Sequence, residues 1–188
     1  MWAGVLPVTT TIGQPVPDPR LADDIEAAAE ANAVAVILEI DTPGGLDSAM
    51  REIVKAELNA RVPVIVYVAP PGSRAASAGA YITMAAHVAA MAPGTNIGSG
   101  TPVSMAGAAM DSTMIRKVVH DATAYRESIA RQRGRNVDVA RAIVEDAANL
   151  PADDALAQNV IDLAAGRWPE PATPRPERSG TAGRSSWR

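Results

Sequence analysis

The sequence predicts an α/β domain built around a parallel sheet, on two observations. Two short runs, "AVAVILEI" (33–40) and "VPVIVYVA" (62–69), are β-branched and apolar almost throughout, as strands covered on both faces are. These runs alternate with segments of helical periodicity at a spacing that suits right-handed βαβ crossovers. The length of 188 residues fits one domain with a sizeable core.

The elements follow in order. "GVLPVTTTI" (4–12) reads as a first strand, broken by Gly13-Gln14-Pro15. "DPRLADDIEAAAEAN" (18–32) opens with helix-start chemistry and places Leu21, Ile25 and Ala28 on one face. The run 33–40 ends in the turn "DTPGGLD", and a helix starts at about Asp47 with Met50, Ile53, Val54 and Leu58 on its buried stripe. The run 62–69 closes at "PPGS". "AASAGAYITMAAH" reads as a helix and "VAAMA" as a short strand, followed by the glycine-rich loop "PGTNIGSGTP" (93–102). Residues 103–112 read as irregular and mobile, and a long helix is expected within 113–133, with Ile115, Val118, Val119, Ala122 and Ile129 as its buried stripe. "NVDVARAIVEDA" and "PADDALAQNVIDLAA" give short helices and a last strand at 160–163. The domain is expected over 1–167. The proline-, serine- and arginine-rich stretch 168–188 reads as a disordered polar tail.

Composition narrows the chemistry. With no cysteine, disulfides, thiolate catalysis and zinc–cysteine sites are excluded. With no phenylalanine, the core must rest on Val, Ile, Leu, Met and Ala. The net charge of −4 comes without a basic stripe, so nucleic acid is not an expected partner. There is no apolar run of 18 residues to span a membrane, and "MWAGVLPVTTTIG" does not read as a signal peptide.

Three glycine-containing corners follow strands: Gly44-Gly45, the region of Ser77, and the loop 93–102. In an open α/β layer such corners gather in one crevice. Ser77 stands at a helix start, where free N–H groups favour negative charge. The N–H groups of Gly45 and Ala78 are candidates for an oxyanion hole in acyl transfer. The competing interpretation is a Pro-Gly-Gly turn and close helix packing. A serine nucleophile needs a base. His87 lies ten residues on in the same expected helix, roughly 15 Å away by helical rise. His120, with Asp121 or Asp111, is a second candidate. The third is lysine, because fifteen arginines stand beside only Lys55 and Lys117. Arginine does not give up its proton, whereas lysine can be driven toward neutrality. Lys55 adjoins the buried Val54 and reads as a solvated helix residue; Lys117 follows the irregular stretch but falls on the polar side of its expected helix.

The segments "LEIDTPGG", "PVIVYVAPPGSRAASAGAYI", "AAHVAAMAPGTNIGSGTPV", "KVVHDATAYRESIARQRGRN" and "ALAQNVIDLAA", in that order, resemble the NfeD-family serine peptidases. These are relatives of signal peptide peptidase A with the Clp-protease/crotonase-like layered αβ fold, built from repeated ββα and βαβ units. The resemblance runs from about residue 4 to about 165. It implies Ser77 as nucleophile, Lys117 as general base, and Gly45 and Ala78 as oxyanion donors, with Gly44 adjoining. It further implies cleavage of apolar segments near the C-terminus of stomatin-type membrane proteins, a homodimer or larger assembly, no cofactor, and a membrane-associated, extracytoplasmic setting. Full-length members often continue into transmembrane helices and a small β-barrel, whereas this chain ends in a polar tail, and Arg116 stands beside Lys117. Two other classes stay open: a non-catalytic oligomeric scaffold for stomatin-like partners, and a crotonase-like acyl-CoA enzyme.

Overall fold

The computed structural model describes residues 3–8 (as backbone), 21–31, 33–102 and 111–166. The expected tail and most of the stretch 103–112 lie outside the described residues. Five strands, β1 (Ala3–Val8), β2 (Ala35–Ile40), β3 (Val64–Val68), β5 (Val88–Met91) and β8 (Leu163–Ala164), form a parallel sheet in the order β1-β2-β3-β5-β8. Three short strands, β4 (Arg74–Ala76), β6 (Asn96–Gly98) and β7 (Asn149–Pro151), form a second sheet. The helices are α1 (Leu21–Glu30), α2 (Asp47–Asn59), α3 (Ala78–Ala85), α4 (Ser112–Gln132), α5 (Val137–Glu145) and α6 (Ala152–Ala157). The expected α/β class is therefore observed, with the layered Clp-protease/crotonase-like arrangement.

Side chains alternate across a strand, so β2 and β3 each present two faces. Val36, Leu38 and Ile40 pair in register with Val64, Val66 and Val68, and all six are sealed in the main core with Ile25, Met50, Val54, Ile82 and Met84. Burying branched side chains of this kind contributes roughly 1.5–3 kcal/mol each. The opposite face is covered less completely. Tyr67, Ala69, Ala90 and Ala92 make a small separate cluster, while Glu39 and Ile65 are half-buried. The expected cover on both faces is thus present but uneven: one face is sealed throughout, while on the other Ile37 and Tyr67 are buried beside the half-buried Glu39 and Ile65.

Other differences concern short elements. The expected helix at 75–87 is a strand, β4, followed at Ala78 by α3. The glycine-rich loop contains β6, which pairs in parallel with β4 and antiparallel with β7. The last strand lies at 163–164 rather than 160–163. The buried stripe of α4 is Ala122, Thr123, Arg126, Ile129 and Ala130. Ile115 is exposed, and Val118 and Val119 are half-buried; the buried positions of α4 begin at Ala122.

Candidate active site

Ser77 joins β4 directly to α3 with no loop between them. Pairing of Arg74, Ala75 and Ala76 with Asn96, Ile97 and Gly98 fixes the strand up to its last residue. Ser77 must turn the chain alone, and it does so at φ 51°, ψ −114°. A side-chain-bearing residue there carries strain of order 1–3 kcal/mol. The neighbours hold the turn in place: Ser77 N–H donates to Gly98 O (2.9 Å), Ala76 N–H to Thr42 O (3.0 Å), and Ala80 N–H to Ser77 O (3.0 Å). A strained serine directly between a strand and a helix, lining a cleft and making no capping hydrogen bond, resembles the strand-to-helix turn of a nucleophile elbow.

The Pro-Gly-Gly corner packs onto this turn. Thr42, fully buried, bridges Ala75 in parallel, and its Oγ1 accepts the N–H of Gly44 at 3.1 Å. A Cβ on Gly44 would lie 2.8 Å from Ser77 Cβ, and Gly44 itself sits at φ +127°. A Cβ on Gly79 would lie 2.6 Å from Thr42 Cγ2. Small residues are thus required for packing here, and the same closeness sets the serine against the corner. The amide of Gly44 is occupied by Thr42, and Gly45 is the glycine of the pair that borders the cleft.

That cleft is lined by Gly45, Leu46, Asp47, Met50, Ser77 and Ala78, and continues past Tyr81, Gly100, Pro102 and Ala122. Three of the four sequence-predicted site residues, Ser77, Gly45 and Ala78, therefore meet at one opening. The amide of Ala78 belongs to the first turn of α3, where N–H groups have no helical acceptor. Lys117 is not brought to the cleft. It is exposed on the N-terminal half of α4, as are Arg116 and His120, while Ala122, five residues after Lys117, lines the cleft. Lys55 is exposed on α2.

The histidine alternatives have other partners or positions. His87 lies beyond the end of α3, and its Nδ1 accepts the N–H of Val64 at 3.1 Å. Burial pushes its pKa down, with the nearby Arg133 adding to the effect. Asp121 is held by Arg51, and Asp111 caps α4 by accepting from Thr113 and Met114 N–H.

One cluster beside the cleft was not anticipated. Arg126 is fully buried, with its guanidinium 3.7 Å from the Tyr81 ring centroid and its Nη2 3.4 Å from Ser77 O. Tyr81 donates to Ala122 O (3.2 Å) and stacks on Tyr125, which in turn lies under Arg51 at 4.3 Å. The sequence signal was available: position 126 shares the stripe of Ala122, Ile129 and Ala130, so an arginine there faces the core.

The layered sheets, the strained serine and the flanking glycine corner define a Clp-protease/crotonase-like domain with a serine-centred cleft. The chain belongs to the family described as NfeD1b, N-terminal domain, whose model matches residues 4–169. It is similar to the membrane-bound protease PH1510 of Pyrococcus horikoshii, with 40% identity over 144 residues, covering 75% of this chain and 32% of that protein. It is also similar to the membrane protein NfeD1b of Bacillus subtilis, with 36% identity over 107 residues, covering 57% of this chain and 24% of the relative. The chain spans about a third or less of the length of these curated relatives. Among solved structures it resembles the 1510-N membrane-bound stomatin-specific protease in a serine-to-alanine variant (TM-score 0.77, 35% identity, covering 88% of this chain and 80% of that one). It resembles equally a lysine-to-alanine variant in complex with a substrate peptide (TM-score 0.77, 34% identity, covering 88% and 76%). The replaced serine and lysine of those structures lie one position farther apart in sequence than Ser77 and Lys117 do.

Proposed function

We propose that this chain is the protease domain of a serine endopeptidase with a Ser77–Lys117 dyad. The observation that carries the proposal is the strained Ser77 at the opening of α3, facing a cleft shared with Gly45 and Ala78. Neutral Lys117 takes the proton of Ser77 Oγ as the oxygen attacks a peptide carbonyl. The N–H groups of Gly45 and Ala78 stabilise the tetrahedral oxyanion. Lys117 returns the proton to the leaving amine, and water then releases the acyl group. No metal or organic cofactor takes part. Leu46, Met50, Tyr81, Pro102 and Ala122 give the cleft apolar walls suited to an apolar peptide. The similarity to a membrane-bound, stomatin-specific protease supports a stomatin-like membrane protein as substrate and a membrane-associated setting; an extracytoplasmic location and an assembly of two or more copies belong to the same proposal. Asp47 is the one charged residue among the described cleft residues, a sign that suits peptides better than the phosphates of an acyl-CoA.

The test is fluorophosphonate labelling with mapping of the adduct, together with cleavage of an apolar stomatin-like peptide. Ser77→Ala is expected to abolish labelling and to lower cleavage by about 10³-fold or more. Lys117→Ala should lower both by a similar factor without changing thermal stability, because Lys117 is exposed. Undiminished cleavage by both variants refutes the proposal. A folded parent that binds the peptide but is never labelled identifies the chain as a scaffold.

A further inference from the structure

Ser77 and Ala78 share one peptide group, and its two edges have different surroundings. Both residues line the cleft. The carbonyl of Ser77 is turned toward the interior, where it accepts from Ala80 N–H at 3.0 Å and from Nη2 of the fully buried Arg126 at 3.4 Å. The one cis peptide bond among the described residues is Ala69–Pro70, so the Ser77–Ala78 bond is trans. In a trans peptide the C=O and N–H point in opposite directions. The Ala78 N–H is therefore turned away from Arg126.

This orientation is not the one that the serine favours. Ser77 has φ 51° with ψ −114°, whereas the common left-handed conformation at that φ has ψ near about +47°. Turning the Ser77–Ala78 peptide over by about half a turn would relieve the strain, and it would exchange the positions of the carbonyl and the N–H. The peptide before the serine is fixed by the bond from Ser77 N–H to Gly98 O. The one after it is held at its oxygen, by the first turn of α3 and by Arg126. The guanidinium is itself firmly placed. It lies 3.7 Å from the ring centroid of Tyr81, whose hydroxyl is tied to Ala122 O, and a Cβ on Gly100 would come within 2.7 Å of Nη1. Its Nε and Nη1 have no hydrogen-bond partner among the described residues, which leaves the Ser77 carbonyl as its one acceptor there. Burying a charge so sparsely partnered is costly, and that cost singles out the one bond it makes.

We propose that Arg126 is a positioning residue for the oxyanion hole: it holds the Ser77–Ala78 peptide by its carbonyl, so that the Ala78 N–H on the opposite edge faces the cleft. This rests on the serine-peptidase reading above, in which Ala78 donates to the oxyanion. The charge-assisted bond to the carbonyl also polarises the peptide and strengthens its N–H as a donor. Arg126 exchanges no proton and acts only through Ala78.

The test compares hydrolysis of an apolar peptide by the parent chain, Arg126→Met, Arg126→Gln (too short to reach the carbonyl) and Arg126→Lys. The affinity for the same peptide is measured in Ser77→Ala, with and without Arg126→Met. An oxyanion donor acts in the transition state and not on bound substrate. In Arg126→Met and Arg126→Gln kcat should fall about 10- to 100-fold, while the Kd for the peptide changes by less than about twofold. The matching peptide aldehyde, whose carbonyl carbon Ser77 Oγ attacks to form a tetrahedral adduct, should lose affinity by the same factor as kcat. Arg126→Lys keeps a donor and should be at least about threefold faster than Arg126→Met. If only one of Arg126→Met and Arg126→Gln folds, that one decides. An unchanged kcat, an Arg126→Lys no faster than Arg126→Met, or a loss of peptide affinity in proportion to kcat, as a general loosening of the cleft predicts, overturns the proposal. A folded parent that neither cleaves the peptide nor is labelled by fluorophosphonate overturns the serine-peptidase reading instead, and the role of Arg126 with it.

Discussion

Replacing Ser77 by glycine separates strain from chemistry at a single position. At φ 51°, ψ −114° the serine side chain is strained and glycine is not. Ser77→Gly should therefore raise stability by about 1 kcal/mol, after the entropy that glycine loses on folding, while Ser77→Ala stays close to the parent; both lack labelling. Urea unfolding of the three proteins checks this, and a glycine variant less stable than the alanine variant contradicts the strained-elbow account. The place of Ser77 at a helix start beside the Pro-Gly-Gly corner was legible in the sequence, where small neighbours leave the backbone uncovered; its reading as a nucleophile comes from the family resemblance. The strain was not, since it arises from pairing with residues 96–98, twenty positions downstream. Arg126 was overlooked because "AYRESIARQR" reads as a charged surface, although its spacing from Ala122 and Ile129 placed it inside.

At the scale of elements, the ends of α2 and α3 are joined by buried polar groups at the side of the core away from the cleft. Arg135 donates to the carbonyls of Met84, Ala86 and Val160 and pairs with Asp162 at 2.8 Å. Arg133 donates to Ala85 O and Glu57 O. Glu57 itself is fully buried, and neither carboxyl oxygen has a hydrogen-bond partner among the described residues. Burial pushes its pKa well above 4.5, opposed by Arg133 and Arg135. A folded-state pKa above the unfolded one means that the group contributes fully below the unfolded value and loses that contribution as pH rises through the folded one. Glu57→Gln should therefore melt higher than the parent at pH 7, with about 2–4 °C for each kcal/mol regained, and equal it near pH 4. An equal or lower melting temperature at pH 7 would show that the carboxylate is ionised and paired in the fold. Most elements here were legible: α1, α2 and the long sheet strands follow from periodicity and β-branched runs. The three-residue strands β4, β6 and β7 were not, because runs so short have no period and gain their pairing only from the sheet they complete.

Over the whole molecule, the cleft and the helix end beside it differ in firmness. The sheets, α2 and α3 hold most of the cleft, with every residue of α3 buried. The N-terminal half of α4, which precedes the cleft residue Ala122, is the looser part: residues 111–117 are all exposed, Met114 and Ile115 among them at 47% and 46%. An exposed helix end with few apolar contacts opens at low free-energy cost. The sequence placed Lys117 forty residues after Ser77, but whether it meets the serine depends on what covers this half of α4, which periodicity does not encode. If an apolar peptide in the cleft supplies that cover, Ala122 and Lys117 are drawn toward it together, and the dyad forms only with substrate in place. Hydrogen exchange on Ser77→Ala, which holds peptide without cleaving it, tests the point. In the free protein the amides of 116–121 should exchange at least about tenfold faster than those of 126–131, which pack on α3 and α5. Saturating peptide should slow the first group about tenfold and leave the second unchanged. Equal protection of the two groups in the free protein, or bound peptide with no change at 116–121, would mean that this half of α4 does not close on the cleft and that Lys117 must reach Ser77 from a helix already in place.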